Sequence, residues 1–297
     1  MIKTFSLTAH ADTSNVFPNG GSLQSHASYA AEQRALYDAG KPSAYDLTVT
    51  TGNLIIQLPL SNWTTDSPSI IAQAKRFDPA VFLGGNPDNS VLRGFEKQRS
   101  VIINVINTSA IGGLSWNTGP ETSIYMTRPF SRGSIKINST SILDAPLIDY
   151  GALMDPTDLG MLYAIYVKNR ELMSTPDLAV LGPIEISPAP GLSDEMDIKE
   201  RIKRALAPSN AHQCCTAAMM KREDGGVVDP GNRVYGTERL SIVDASVWPI
   251  IVGGGPQASV YAGAEKVCIV NGDDEFVQGL LISGQAADII KARHGLL

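Results

Sequence analysis

With 297 residues, 43% apolar and 18% charged, the chain can bury a sizeable core as one large or two modest domains. Its formal charge of −6, with no block of like charges, argues against nucleic acid or an anionic membrane surface as the main partner. No apolar run reaches the roughly 18 residues that a membrane span needs.

The opening residues Met1–His10 lack the continuous apolar stretch of a secretory signal, so the chain as written is expected in the cytoplasm. Sequons at Asn62, Asn107 and Asn138 leave a secreted ancestry open. The three cysteines give no disulfide framework. Cys214 and Cys215 are adjacent, suit neither an ordinary disulfide nor a zinc site, and read as small buried thiols; Cys268 is remote. No metal site is expected.

In chain order, Ser25 is placed to cap a helix over 26–38, with Ala, Leu and Tyr on one face and Gly40 just past its end. Residues 47–58 alternate, are β-branched, and turn apolar at Leu54-Ile55-Ile56, which predicts a strand. Pro68 suits the first turn of a helix over 67–77, and 91–106 reads as another. Two strands, 123–128 and 134–138, are expected to join through Pro129-Phe130-Ser131-Arg132-Gly133. Asp155-Pro156-Thr157-Asp158 offers a capping acid, a proline for the first turn, and a second acid in that turn. Leu159, Leu162, Tyr163, Tyr166 and Val167 follow at helical spacing. A connection rich in proline and glycine (Pro183, Pro188, Pro190, Gly191) leads to a charged amphipathic helix at 194–206.

Beyond Pro208 the chain turns to loops and short strands. A strand is expected at 239–244, and a helix near Gln257 after Gly253-Gly254-Gly255-Pro256. Strands and helices without a regular βαβ rhythm predict an α+β fold around an antiparallel sheet, divided as 1–206 and 207–297. An imidazole titrates near neutrality, so a histidine can take and return protons there. His10, His26 and His294 read as exposed.

Ser209–Met219, Gly226-Val227-Val228-Asp229, Arg233-Val234-Tyr235-Gly236, Val243-Asp244-Ala245-Ser246 and Pro256–Lys266 occur in a telling order and spacing. They resemble the C-terminal signature of the glucose–methanol–choline (GMC) flavoprotein oxidoreductases, most of all the fungal branch of secondary metabolism. Ser131–Ser134, Pro146–Asp149 and the helix after Asp155 are similar to the sheet-and-helix portion of that family's substrate domain. The resemblance implies an antiparallel sheet flanked by helices, plus a remnant of the FAD domain. It also implies that His212 sits over the flavin ring as general acid/base, with Gln257 a second candidate on the substrate. Asp244, Ala245, Gly255 and Pro256 would adjoin FAD if a completed fold supplies it. Plainer roles stand beside these: His212 kept for packing, Gln257 capping its helix, Asp244 ending a strand, and Arg132 with Asp149 as a structural pair.

The chain departs from the family pattern in three places. No glycine-rich turn follows a strand and opens a helix; Asn19-Gly20-Gly21 and Gly84-Gly85-Asn86 come nearest and lack the spacing. No cofactor is therefore expected on this chain alone, and FAD only if it is complemented. Gly255 stands where the family has a second His or Asn, and residues 267–285 interrupt the last helix, either as a genuine loop or as a retained intron. The leading expectation is an enzyme of small-molecule biosynthesis working without bound flavin. There His212 would serve as general acid/base in cyclisation, dehydration or isomerisation of an apolar oxygenated substrate. The alternatives are a FAD-dependent alcohol oxidase or dehydrogenase completed by a separate N-terminal half, and a non-catalytic remnant. An open edge on the 239–244 strand is expected to drive homo-oligomerisation or pairing with a partner chain.

Overall fold

A sheet with two unlike faces organises the molecule. The computed structural model describes residues 5–7, 11–12, 16–19, 21–46, 54–84, 88–116, 122–208 and 211–264. Its strands are β1 (Phe5–Leu7), β2 (Ala11–Asp12), β3 (Leu54–Leu58), β4 (Gly112–Trp116), β5 (Thr122–Met126), β6 (Ser134–Lys136), β7 (Leu147–Asp149) and β8 (Ile184–Glu185). Its helices are α1 (Ser22–Ser25), α2 (Ala27–Asp38), α3 (Leu60–Trp63), α4 (Ser67–Arg76), α5 (Asn89–Val105), α6 (Pro156–Met173), α7 (Pro176–Ala179), α8 (Glu195–Ala205) and α9 (Gln257–Ala264). The main sheet runs β1-β5-β4-β3, every pair antiparallel, while β2 pairs with β8 and β6 with β7.

Register decides which side chains share a face. Ile56 lies beside Leu114, and Leu114 beside Ile124; the next row sets Gln57 beside Gly113, and Gly113 beside Tyr125. Successive strand residues point to opposite faces. The first row enters the core with Met126, and the second lies on the other, more polar face with Ser115 and Ser123. A half-solvated antiparallel sheet shows this division.

Helix α6 crosses the apolar face, packing on β4 and β5, with α3, α4 and α8 around it. Leu162, Ile165 and Tyr166 meet Leu60, Ile102, Ile198 and Ile202 there. Its start is built as the sequence predicts: Asp155 Oδ1 accepts from the Thr157 N–H at 2.9 Å, with Pro156 in the first turn. Asp88 caps α5 and Asp194 caps α8 in the same way.

Arg99 of α5 ties these helices together. Its Nε donates to the Ala74 carbonyl at 2.7 Å, its Nη1 pairs with Asp155, and its guanidinium lies 4.6 Å from the Phe130 ring centroid. The segment 129–133 is pinned beside it, with Asp158 accepting from the N–H groups of Phe130 and Ser131 at 2.7 and 2.8 Å.

Several expectations need correction. Ser25 ends α1, with its hydroxyl donating to the Gly21 carbonyl; His26 holds the N-cap position of α2 without a side-chain cap, and no residue of α2 is buried. Strands β5 and β6 both form but in different sheets, because β6 turns away to pair with β7. Arg132 is not paired with Asp149. Its buried guanidinium donates to Gln98 Oε1 and to the carbonyls of Pro129, Phe130 and Ser131, whereas Asp149 accepts from the Gly151 N–H.

Residues 239–244 form no strand. Arg233 bridges Ser241, and tight turns at Asn232 (φ 60°) and Gly236 (φ 79°) fold this stretch back on itself. The strand whose open edge was expected there is thus not formed. Residues 47–53, His10, Cys268, the 267–285 insert and His294 lie outside the described residues. Among the described residues no helix is long and apolar enough to cross a membrane.

Candidate functional site

His212 sits on a loop whose shape is fixed from both sides. Ala211 (φ 57°) and Cys215 (φ 68°) adopt left-handed backbone conformations uncommon outside glycine. The chain after His212 is then hydrogen-bonded to the 3₁₀ turn 245–247. The N–H groups of Cys215, Ala217 and Met219 donate to the carbonyls of Ala245, Ser246 and Val247 at 3.2, 2.9 and 2.7 Å. Beneath lies a small core of Cys214, Val228, Val247, Trp248 and Ile251.

Helix α5 carries this unit. Lys97 Nζ reaches the buried Asp224 carboxylate at 2.6 Å, and Gly94 lets the Asp224 carbonyl approach so closely that a Cβ there would lie 2.3 Å from its oxygen. Gly225 (φ 73°) rests against Val91 in the same contact. These contacts link residues on either side of position 206.

The His212 imidazole is half-buried, and burial pulls its pKa below the ordinary value. It is therefore a neutral ring near neutrality, able to accept a proton. Two positions on, the thiols of Cys214 and Cys215 have their sulfurs 2.7 Å apart. Burial, then the hydrogen bond with Cys214, pushes the Cys215 thiol well up.

The other predicted positions divide. The Asp244 carboxylate accepts from the Ser246 N–H at 2.7 Å and so caps the 3₁₀ turn Ala245–Val247. The Ala245 carbonyl is engaged by Cys215. Gly255 is exposed, with nothing within 4 Å of where a Cβ would stand, and Pro256 opens α9, its carbonyl accepting from the Val260 N–H at 2.8 Å. Gln257 is exposed, and among the described residues its side chain makes no hydrogen bond, so the expected cap is not made.

Sequence reasoning missed what faces the glycine run. Gly254 stands opposite Gln57, whose Nε2 would lie 3.8 Å from a Cβ there, and Gly253 lies against Arg128, whose Nη2 would lie 3.1 Å away. Gln57 Nε2 donates to Tyr125 Oη at 3.0 Å, and Arg128 Nε donates to the Ala110 carbonyl at 3.1 Å. Burial raises the Tyr125 pKa and lowers that of Arg128. The usable signal was Gly113, since a glycine inside a strand often marks close approach of other groups.

The space beside Gly255 is open, with no heavy atom within 4 Å of where a Cβ would stand. The capping carboxylate of Asp244 and the carbonyls of 245–247 are already committed within the chain. Of the glycine runs singled out in the sequence, Gly84 follows a 3₁₀ turn and Gly21 precedes the short α1, so neither makes the strand-to-helix turn of a dinucleotide seat. Among the described residues no cluster of His, Cys, Asp or Glu could hold a metal ion.

Four similarities bear on this site. The family profile of the GMC oxidoreductases matches residues 129–264. The dehydrogenase xptC of Emericella nidulans is 39% identical over 288 residues, covering 96% of this chain and 43% of its own length. Versicolorin B synthase of Aspergillus parasiticus is 37% identical over 150 residues, 49% of this chain and 23% of its own length. A FAD-dependent oxidoreductase from Chaetomium thermophilum superposes with a TM-score of 0.84 and 36% identity, over 99% of this chain and 48% of that one. The chain thus spans less than half the length of these relatives.

Proposed function

The chain belongs to the GMC oxidoreductases, carrying their C-terminal half, and we propose that it forms the substrate-binding and proton-transfer wall of a flavin-dependent alcohol oxidoreductase of secondary metabolism. The observation that carries this reading is His212: a half-buried, neutral imidazole on a loop locked by the 245–247 pairing. A base of that kind takes a hydroxyl proton from the substrate, an effect worth roughly 10²–10⁴-fold in rate. The flavin, when bound in the completed protein, would accept the hydride. Gly255 leaves space for its ring, and Pro256 and the start of α9 border that space. The pyrophosphate seat would come from the remainder of the protein.

The substrate is expected to be small, apolar and oxygenated, and no nucleic acid or membrane surface enters this reading. A second copy or a partner chain remains a proposal, resting now on the outer strands β1 and β3 of the main sheet.

A second reading is favoured by Gly255 and by the similarity to versicolorin B synthase. With no side chain at 255, His212 handles the proton alone, in a cyclisation, dehydration or isomerisation without flavin. One experiment separates the two. The protein is completed by the N-terminal half of a relative, and its visible spectrum and alcohol turnover are followed with and without His212→Ala. A yellow protein that loses about 100-fold or more of its turnover in the variant supports the first reading. Turnover that survives His212→Ala refutes both.

A further inference from the structure

We propose that Gln57, Tyr125 and Arg128 form a polar subsite that grips an anionic oxygen of the substrate, a carboxylate or an ionised phenol. It supplies from the sheet the polar contact that Gly255 cannot make. The inference rests on the reading of the His212 region as a substrate site, and adds to it the chemical class of what is held.

Three observations converge. First, the hydrogen-bonding capacity is unspent. Tyr125 Oη accepts from Gln57 Nε2, so its own proton is free to be donated elsewhere, and among the described residues nothing accepts it. Arg128 spends its Nε on the Ala110 carbonyl. Among the described residues its Nη groups meet no carboxylate, although desolvation makes the guanidinium costly to hold charged. A half-buried cation without an acid beside it is suited to an anionic ligand, and a planar guanidinium meets a carboxylate in two parallel bonds.

Second, the groups are gathered by glycines. Gly113 sits between Gln57 and Tyr125 in register, and a Cβ there would lie 2.8 Å from Tyr125 Oη and 2.2 Å from the Ile56 carbonyl. Any larger residue would displace the pair. Gly253 and Gly254 allow the loop to approach Arg128 and Gln57, and Gly255 leaves the adjoining space open. Third, Gln57 and Tyr125 occupy the polar face of the main sheet, opposite the packed core, Arg128 follows two residues after β5, and all three remain partly exposed.

The test is isothermal titration of the full chain with benzoate and with 4-nitrophenolate, benzyl alcohol serving as the neutral control and flavin mononucleotide as a phosphate-bearing flavin. The variants are Arg128→Met, Tyr125→Phe and Gln57→Leu, with Arg128→Lys as the conservative partner and circular dichroism to verify folding. Saturable binding of one or both anions is expected, weakened about tenfold or more by Arg128→Met and partly restored in Arg128→Lys. Tyr125→Phe, which keeps the ring, should weaken it in the same direction. The two anions separate a carboxylate from a phenolate ligand.

Equal binding by parent and folded variants, or no binding of either anion, overturns the proposal. So does flavin mononucleotide binding that depends on the same residues, which would assign them to the cofactor. None of these outcomes touches the role of His212, which is read from turnover.

Discussion

Replacing Asp155 by Asn tests how the two halves of the helical core are joined. The Asp155 side chain is 0% exposed and that of Arg99 9% exposed, and the carboxylate does two things at once. One oxygen caps α6 through the Thr157 N–H, and the other pairs with the guanidinium. Losing a cap costs about 1 kcal/mol. Leaving a buried charge without its partner costs about 3–5 kcal/mol. Asp155→Ala loses both, about 4–6 kcal/mol, against total stabilities of roughly 5–15 kcal/mol for folded domains. Asp155→Asn keeps the cap, because Asn serves that position as well as Asp, and so isolates the charge effect.

The cost of Asp155→Asn should fall near 3 kcal/mol, since Arg99 retains the Ala74 carbonyl and the Phe130 ring. Pairing it with Arg99→Met removes the stranded charge and should recover most of that loss. Urea unfolding followed by circular dichroism, on parent, both single variants and the double variant, gives the coupling directly. A cost below about 1 kcal/mol for Asp155→Asn, or a double variant as unstable as the two singles added, would refute this account.

Asp158 links stability to pH. Burial, then the charge of Asp155, raises its carboxyl to about 7, so the folded state holds a proton that the unfolded chain releases at ordinary carboxylate pKa. Stability should therefore fall as pH rises from about 4 to about 7, and Asp158→Asn should flatten that slope in melting curves; an unchanged slope refutes it. Gly113→Ala sets a Cβ against the Ile56 carbonyl and the Tyr125 hydroxyl and should cost about 1–3 kcal/mol as overpacking. Gly255→Ala, with nothing within 4 Å, should by comparison be nearly silent in the same unfolding assay. Because burial keeps the Cys215 thiol protonated, iodoacetamide should modify it more slowly than a free cysteine at neutral pH; fast modification would contradict the buried placement.

What could be read from the sequence were features set by neighbours along the chain. Asp155-Pro156 announced α6, Asp194 stands at the start of α8, and Gly40 (φ 65°) ends α2, because caps and left-handed glycines act within one turn. The signature around His212 was also legible, being contiguous. What failed depended on partners far away. Residues 239–244 alternate like a strand, yet pair only in short turns with 229–234. Strands β5 and β6 were found, but not that they part into different sheets. The contact of Gln57 with Tyr125 spans 68 positions and needs the β3-β4-β5 register, which no local pattern declares.

Helix α5 explains why core and site should respond together. Arg99 reaches Asp155 and the Ala74 carbonyl, while Arg93, Gly94 and Lys97 hold the Asp224 turn that follows the loop bearing His212. Gly94 and Arg99 are five positions apart, about 140° around a helix of 3.6 residues per turn. The two tasks therefore fall on different sides of one rigid rod. Gln98 stands between them, its Oε1 accepting from Arg132 and its amide reaching Met220 Sδ at 3.3 Å. A rotation of α5 caused by losing the Arg99–Asp155 pair would be carried to Asp224, and so to the backbone pairing that orients His212. Asp155→Asn should then disturb the environment of His212 although Asp155 lies in the helical core, whereas Asp194→Ala, confined to the exposed cap of α8, should not. Histidine ring resonances that move equally in both variants would show that α5 carries no such coupling.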